Sequence, residues 1–229
     1  MKLGIIGAME IEVNAIIAAM SNVSTEICGG IQFTSGTISQ TEVVCAVCGV
    51  GKVYAAMCAQ AMIIRYAPDA IVNTGVGGSL TGRLSIGDVA VSESVVQYDM
   101  DTSAVGDPVG LISGLNLIYI PADENLARTM SGIMKDMGIC CEKGVIATGD
   151  RFVADSPSKE QISEMFSAIA CEMEGGAVGH VCAVNKVPFC VIRAISDNAD
   201  TGACEDFPTF AAKAAKNSAQ AVITLAREL

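Results

Sequence analysis

The sequence predicts an α/β layer architecture in one domain, and three observations carry that expectation. Strand-like and helix-like hydrophobic periods alternate along most of the chain, which is how a sheet covered by helices is written in sequence. The length of 229 residues suits one large domain better than two. Hydrophobic residues make up 51% and charged ones 17%, so the chain can bury a sizeable core and is not disordered.

Lys2 to Gly7 reads as a short apolar strand. Val13, Ile16, Ile17 and Met20 then follow the i, i+3, i+4, i+7 spacing of one helical face. Ile31 to Ile38 and Glu42 to Cys48 form a strand pair across the polar turn Ser39-Gln40-Thr41. After Gly49-Val50-Gly51 a helix runs to about Tyr66, and Pro68-Asp69 restarts a strand over Ala70 to Thr74. The Gly75 to Gly78 segment reads as a turn that brings backbone close to a ligand or tightens a strand-to-helix connection. Gly87 to Val96 is a further strand, and Tyr98 to Asn116 is a long aperiodic loop of the kind that serves function or an interface. Asp123 opens a helix with Leu126, Met130, Ile133, Met134 and Met137 on one side, which Gly138 ends. Strands near Cys141 to Thr148, Ala168 to Cys171 and Pro188 to Ile195 alternate with helices at about Pro157 to Phe166 and Glu174 to Asn185, before a terminal helix from about Thr209.

Several function classes are excluded. With 14 Lys and Arg against 25 Asp and Glu, the net charge of −11 leaves little from which to build a phosphate-tracking surface, so nucleic acid is not an expected partner. No uncharged stretch is longer than Pro108 to Ala122, which holds two prolines and is too short to span a bilayer. The apolar amino terminus meets Glu10 and Glu12 instead of a cleavage site, so it reads as a strand and not a signal peptide. Most of the 10 cysteines sit inside core-like runs, Cys45, Cys48 and Cys190 among them, which favours a reduced, cytoplasmic protein. No second ligand pair accompanies Cys45-x-x-Cys48 at zinc spacing, and His180, the single histidine, falls in a helical run, so no metal is expected. Gly49-Val50-Gly51-Lys52-Val53-Tyr54 and Gly75-Val76-Gly77-Gly78-Ser79-Leu80 both lack the third glycine of the dinucleotide fingerprint. A Walker loop fails at Ala46 and Val53, and no cofactor is implied. Ser156-x-x-Lys159 and Ser196-Asp197-Asn198 imitate two elements of the penicillin-recognising serine enzymes, but no Lys-Thr-Gly follows.

Ligands of open α/β sheets bind beyond the carboxyl ends of the strands, and three strands deliver carboxylates there. Glu10 and Glu12 follow the first strand, Glu172 and Glu174 follow Ala168 to Cys171, and Asp197 follows the strand ending at Ile195. Acidic residues at helix starts also complement the helix dipole, a reading open for each one alone but weaker for Asp197, because Arg193-Ala194-Ile195-Ser196 precede it without an amphipathic pattern. Three such sites around one crevice point to acid–base chemistry without a metal.

Gly4-Ile5-Ile6-Gly7-Ala8-Met9-Glu10-Ile11-Glu12, Asn73-Thr74-Gly75-Val76-Gly77-Gly78, Gly149-Asp150-Arg151-Phe152, Glu172-Met173-Glu174 and Arg193-Ala194-Ile195-Ser196-Asp197 together resemble the 5′-methylthioadenosine/S-adenosylhomocysteine nucleosidases of the purine nucleoside phosphorylase-like superfamily. The resemblance implies a single domain over residues 1–229 with a central twisted mixed β-sheet flanked by helices, a homodimer, and hydrolysis of an adenine nucleoside. It assigns Asp197 as the acid for adenine N7, Glu12 as the base for water with Arg193 helping to hold that site, and Glu174 as partner of the ribose hydroxyls. Met173 is placed on the ribose, Phe152 on the adenine ring and the Val153 backbone at the purine edge. Gly78 and Ser196 fall within the matched binding motifs. Met9, Val50 and Phe207 surround the sugar and the 5′-alkylthio group, although these apolar residues also read as ordinary core. Val76 stands where the family commonly has a serine, and Val105 where an aromatic is often donated to the neighbouring subunit.

Two other readings are open: a phosphorolytic purine nucleoside phosphorylase and a non-catalytic adenine-nucleoside sensor. Phosphate needs cationic ligands, whereas no Arg or Lys occurs between Lys2 and Lys52 and the first strand leads into two glutamates. Retention of Glu12, Glu174, Arg193 and Asp197 argues against the sensor.

Overall fold

The computed structural model describes residues 1–229. The chain runs β1 (Lys2–Gly7), α1 (Glu10–Ala18), β2 (Ser21–Cys28), β3 (Ile31–Ile38), β4 (Thr41–Val47), α2 (Lys52–Tyr66), β5 (Ala70–Ser79), β6 (Val89–Gln97), β7 (Ile120–Pro121), α3 (Glu124–Asp136), β8 (Cys141–Thr148), α4 (Ser156–Phe166), β9 (Ala168–Glu172), α5 (Gly175–Asn185), β10 (Phe189–Asp197) and α6 (Ala203–Glu228). The strands form one mixed sheet in the order β10-β6-β8-β9-β5-β1-β4-β3-β2, with β7 beside β6. Because β10 also pairs with β5, the strands β5, β10, β6, β8 and β9 close into a ring, from which β1, β4, β3 and β2 extend as a wing.

Strand alternation sends side chains to two cores. Leu3 and Ile5 join the layer formed with α1, α3 and α6, while Ile6 joins the layer formed with α2 and α5. Every residue of β5 is buried, as expected of a central strand covered on both faces. The helices follow their signals: Leu126, Ala127, Met130, Ile133 and Met134 make the buried stripe of α3, and Asp123 caps it by accepting from the Leu126 N–H at 2.9 Å. Asp155 caps α4 in the same way through the Ser158 N–H at 2.8 Å.

Four points differ from the sequence reading, three of them corrected expectations and one, β2, a strand for which the sequence offers no signal. Gly75 to Gly78 is no turn: β5 runs through to Ser79, with none of its glycines at positive φ. These glycines are required by space. A Cβ at Gly75 would lie 2.6 Å from Glu12 Oε1, at Gly77 2.8 Å from the Cys171 carbonyl, and at Gly78 2.8 Å from Asp197 Oδ1. Second, β2 is an edge strand paired with β3 across Gly29 and Gly30, and its polar, mostly exposed residues carry no hydrophobic period. Third, α6 starts at Ala203 rather than near Thr209, with Pro208 accommodated inside it. Fourth, β10 continues past Ile195 to Asp197.

Candidate active site

The strand ends of the ring surround a cavity of about 420 Å³, within the range of small-molecule sites. Glu12, Gly78, Phe152, Val153, Met173, Glu174, Ser196, Asp197, Met9, Val50 and Phe207 all line it. Arg193 does not: it is 1% exposed and lies behind the wall. Its guanidinium donates to the Asn73 side chain at 2.6 Å and to Glu172, and faces Glu174 Oε2 at 3.6 Å, while no ion pair joins it to Glu12. Arg193 therefore acts on Glu12 only through its charge, while its direct contacts are with the other two glutamates, a placement set by its position on β10 beside β5. The cavity also includes Cys171, which no sequence signal marked, Ala8 and Arg151, which stood only as members of motifs, and Glu172, which stood as a strand-end carboxylate without an assigned role.

Glu12 sits in the first turn of α1 and folds back over the end of β1. Its Oε2 accepts the N–H of Ala8 at 2.7 Å and of Met9 at 2.8 Å, and Oε1 accepts the Val76 N–H at 3.0 Å. The residue is 2% exposed. Burial raises its pKa above the ordinary glutamate value, against the lowering effects of Arg193 and the three N–H groups.

Asp197 closes β10 on the same cavity. Its Oδ1 accepts the Ala199 N–H at 2.9 Å and its Oδ2 the Ser196 hydroxyl at 2.8 Å, with no ion pair to neutralise it. Burial raises its pKa, opposed by those two hydrogen bonds. The side chain can therefore keep a proton more readily than an exposed aspartate.

Glu174 stands at the start of α5, where its Oε1 accepts the Gly51 N–H at 2.9 Å. Burial, and then the neighbouring Glu172 charge, push its pKa up to about 7, against Arg193 and the Gly51 N–H. Across the cavity mouth Phe152 and Phe207 meet edge to face, with ring centroids 5.5 Å apart. Phe207 reaches that position because α6 begins before Pro208.

His180, Cys45 and Cys48 lie outside the cavity. His180 is half-buried on α5 against the Gln97 amide at 3.3 Å. Cys45 and Cys48 are buried, and burial lifts both thiols well above the ordinary range. Val76 lines the cavity with an apolar side chain and meets Glu12 only through its backbone N–H.

The ring sets three buried carboxylates, Glu12, Asp197 and Glu174, around one cavity of nucleoside size, and the likeness to known proteins makes the chain an N-glycosyl hydrolase of adenosine-type nucleosides. The profile of the phosphorylase superfamily matches residues 2–227. A 5′-methylthioadenosine/S-adenosylhomocysteine nucleosidase of Shewanella sp. (strain MR-7) is 40% identical over 231 residues, covering 100% of this chain and 98% of the relative. Among solved structures, a Helicobacter pylori nucleosidase variant with 5′-methylthioadenosine in its active site superposes with a TM-score of 0.96 at 35% identity, covering 100% of this chain and 99% of the other. A protein described as futalosine hydrolase of Helicobacter pylori strain 26695 superposes with a TM-score of 0.95 at 36% identity, covering 100% and 98%. The chain belongs to the phosphorylase superfamily and, within it, to the 5′-methylthioadenosine/S-adenosylhomocysteine nucleosidases.

Proposed function

We propose that this chain hydrolyses the N-glycosidic bond of 5′-methylthioadenosine and S-adenosylhomocysteine, releasing adenine and the 5-thio-substituted ribose. The observation that carries the reading is the pairing of Glu12 and Asp197 in one cavity, each held by fixed hydrogen bonds and neither in ion-pair contact with a cation.

Cleavage builds positive charge on the ribose and negative charge on the departing base. Asp197 donates its proton to N7, so adenine leaves neutral, and the resulting carboxylate keeps the Ser196 hydroxyl and Ala199 N–H as partners. Glu12 accepts a proton from the water that attacks the anomeric carbon. Glu174 accepts from the ribose hydroxyls and adds negative charge beside the oxocarbenium-like centre. Phe152 stacks on adenine, with the Val153 backbone and Gly78 at the base, while Met173, Met9, Val50 and Phe207 enclose the sugar and thioether.

Phosphorolysis fits less well. Arg193 is turned away from the cavity into Glu172 and Glu174, and a phosphate at the water position would face the Glu12 carboxylate. Adenine release from 5′-methylthioadenosine at equal rates with and without phosphate is the expected result, and a strict phosphate requirement overturns hydrolysis. The protein acts as a homodimer: Val105 is 81% exposed on the 98–116 loop, and Val53, Tyr54, Met57 and Ile64 expose apolar surface along α2. No helix is long and apolar enough to cross a membrane. The burial of most of the ten cysteines as free thiols supports a reducing compartment, the cytoplasm.

A further inference from the structure

The sugar-side carboxylate Glu174 does not hold itself in place. Only one of its oxygens has a hydrogen bond, the other standing 3.6 Å from Arg193. The residue that organises its surroundings is Glu172, buried at the end of β9, whose carboxylate makes four contacts. Its Oε2 accepts the Glu174 N–H at 2.9 Å, the Gly175 N–H at 2.7 Å and the Arg193 guanidinium, and its Oε1 accepts the Thr148 hydroxyl. Thr148 in turn accepts the Gly176 N–H at 2.6 Å. Three successive N–H groups at the start of α5 are thus satisfied by a unit rooted in β8 and β9 instead of by an ordinary helix cap. Arg193 is braced from the other side by Asn73, whose amide donates to the Ile6 carbonyl at 2.9 Å.

We propose that Glu172 is a positioning residue for the reaction, acting through Glu174: with Thr148 it pins the first turn of α5 and draws Arg193 over, so that the Glu174 carboxylate is delivered to the ribose diol. The proposal rests on the hydrolytic reading above. Glu172 borders the cavity, but its oxygens are turned into this network, so its function is to hold the group that meets the sugar. The role is ionic, because one oxygen must accept from two N–H groups and a guanidinium at once, which a neutral amide does poorly.

The test pairs protein variants with substrates that lack a hydroxyl. A hydrogen bond from a hydroxyl to a carboxylate contributes on the order of 10- to 100-fold, so wild type should favour 5′-methylthioadenosine over its 2′-deoxy and 3′-deoxy analogues by that factor in kcat/KM. Glu172→Gln should lose about 100-fold on the parent substrate, as expected for a misplaced catalytic contact, but much less on the deoxy analogues, so that discrimination collapses towards unity. Thr148→Val should shift discrimination in the same direction by a smaller factor, and it carries the test if Glu172→Gln does not fold. Glu172→Asp, which keeps the charge, should restore part of the discrimination. Equal losses on parent and deoxy substrates in the folded variants, or discrimination unchanged from wild type, overturn the proposal. Failure of wild type itself to release adenine without phosphate strikes instead at the hydrolytic reading, and is scored before any variant is compared.

Discussion

Replacing Gly75 by alanine aims a single methyl group at Glu12. The added Cβ would stand 2.6 Å from Oε1 and 3.1 Å from Cδ of Glu12, whereas ordinary contact begins near 3.4 Å. The strand has little room to retreat, because Gly75 pairs with Arg193 of β10 and β5 is held by β1 up to Asn73 and by β9 from Gly78. The carboxylate must therefore yield by about 0.8 Å, which stretches its 3.0 Å bond to the Val76 N–H towards the limit of a hydrogen bond. Losing one bond to a charged acceptor costs about 2 kcal/mol, which for a chain of this length lowers Tm by roughly 4–8 °C. Displacing a catalytic group by nearly 1 Å costs on the order of 100-fold in rate. Stopped assays of adenine release, with Tm from calorimetry and affinity for a non-hydrolysable adenine nucleoside from titration, separate the effects. Gly75→Ala should stay folded at 25 °C and bind the nucleoside with little change, but turn over about 100-fold more slowly. A folded variant with wild-type turnover would refute the reasoning, because Glu12 could not then be the base whose placement matters.

Two further outcomes follow from the same structure. Glu174 titrates near 7 when folded and at its ordinary value of 4.5 when unfolded, so between these values the folded state holds more protons and stability falls as pH rises. Denaturation of the ligand-free protein at pH 5.5 and 7.5 should show wild type losing up to about 2 kcal/mol more than Glu174→Gln, and parallel curves would contradict this. In α3, Gly132 is exposed with nothing within 4 Å of an added Cβ, so Gly132→Ala should raise stability by about 0.5–1 kcal/mol in urea titrations without altering activity; a loss of stability would show that the helix is not as described.

The sequence shows the alternating layers because buried strands and amphipathic helices write their periods directly, as Leu126 to Met134 do in α3. It hides β2, where an exposed edge strand needs no apolar face, and it misleads at Gly75 to Gly78, where glycine signals a lack of room for a side chain and not a turn. The carboxylates at the strand ends are legible because a crevice must form there. What cannot be read is which of them meet: Glu10 is exposed while Glu12 turns inward, and Arg193 chooses Glu172 and Glu174, a pairing that depends on β10 lying beside β5. Cys171 enters the cavity wall without any signal, since its run reads as core.

The role assigned to Asp197 is the most direct point of attack, because asparagine preserves its volume and can still meet Ser196 and Ala199 yet has no acidic proton to give. Adenine release by Asp197→Asn, measured without phosphate and alongside direct binding of 5′-methylthioadenosine, should fall by about 10²- to 10⁴-fold while the substrate still binds. Adenine release within a few-fold of wild type would contradict the account, for the leaving base would then be receiving its proton from somewhere else.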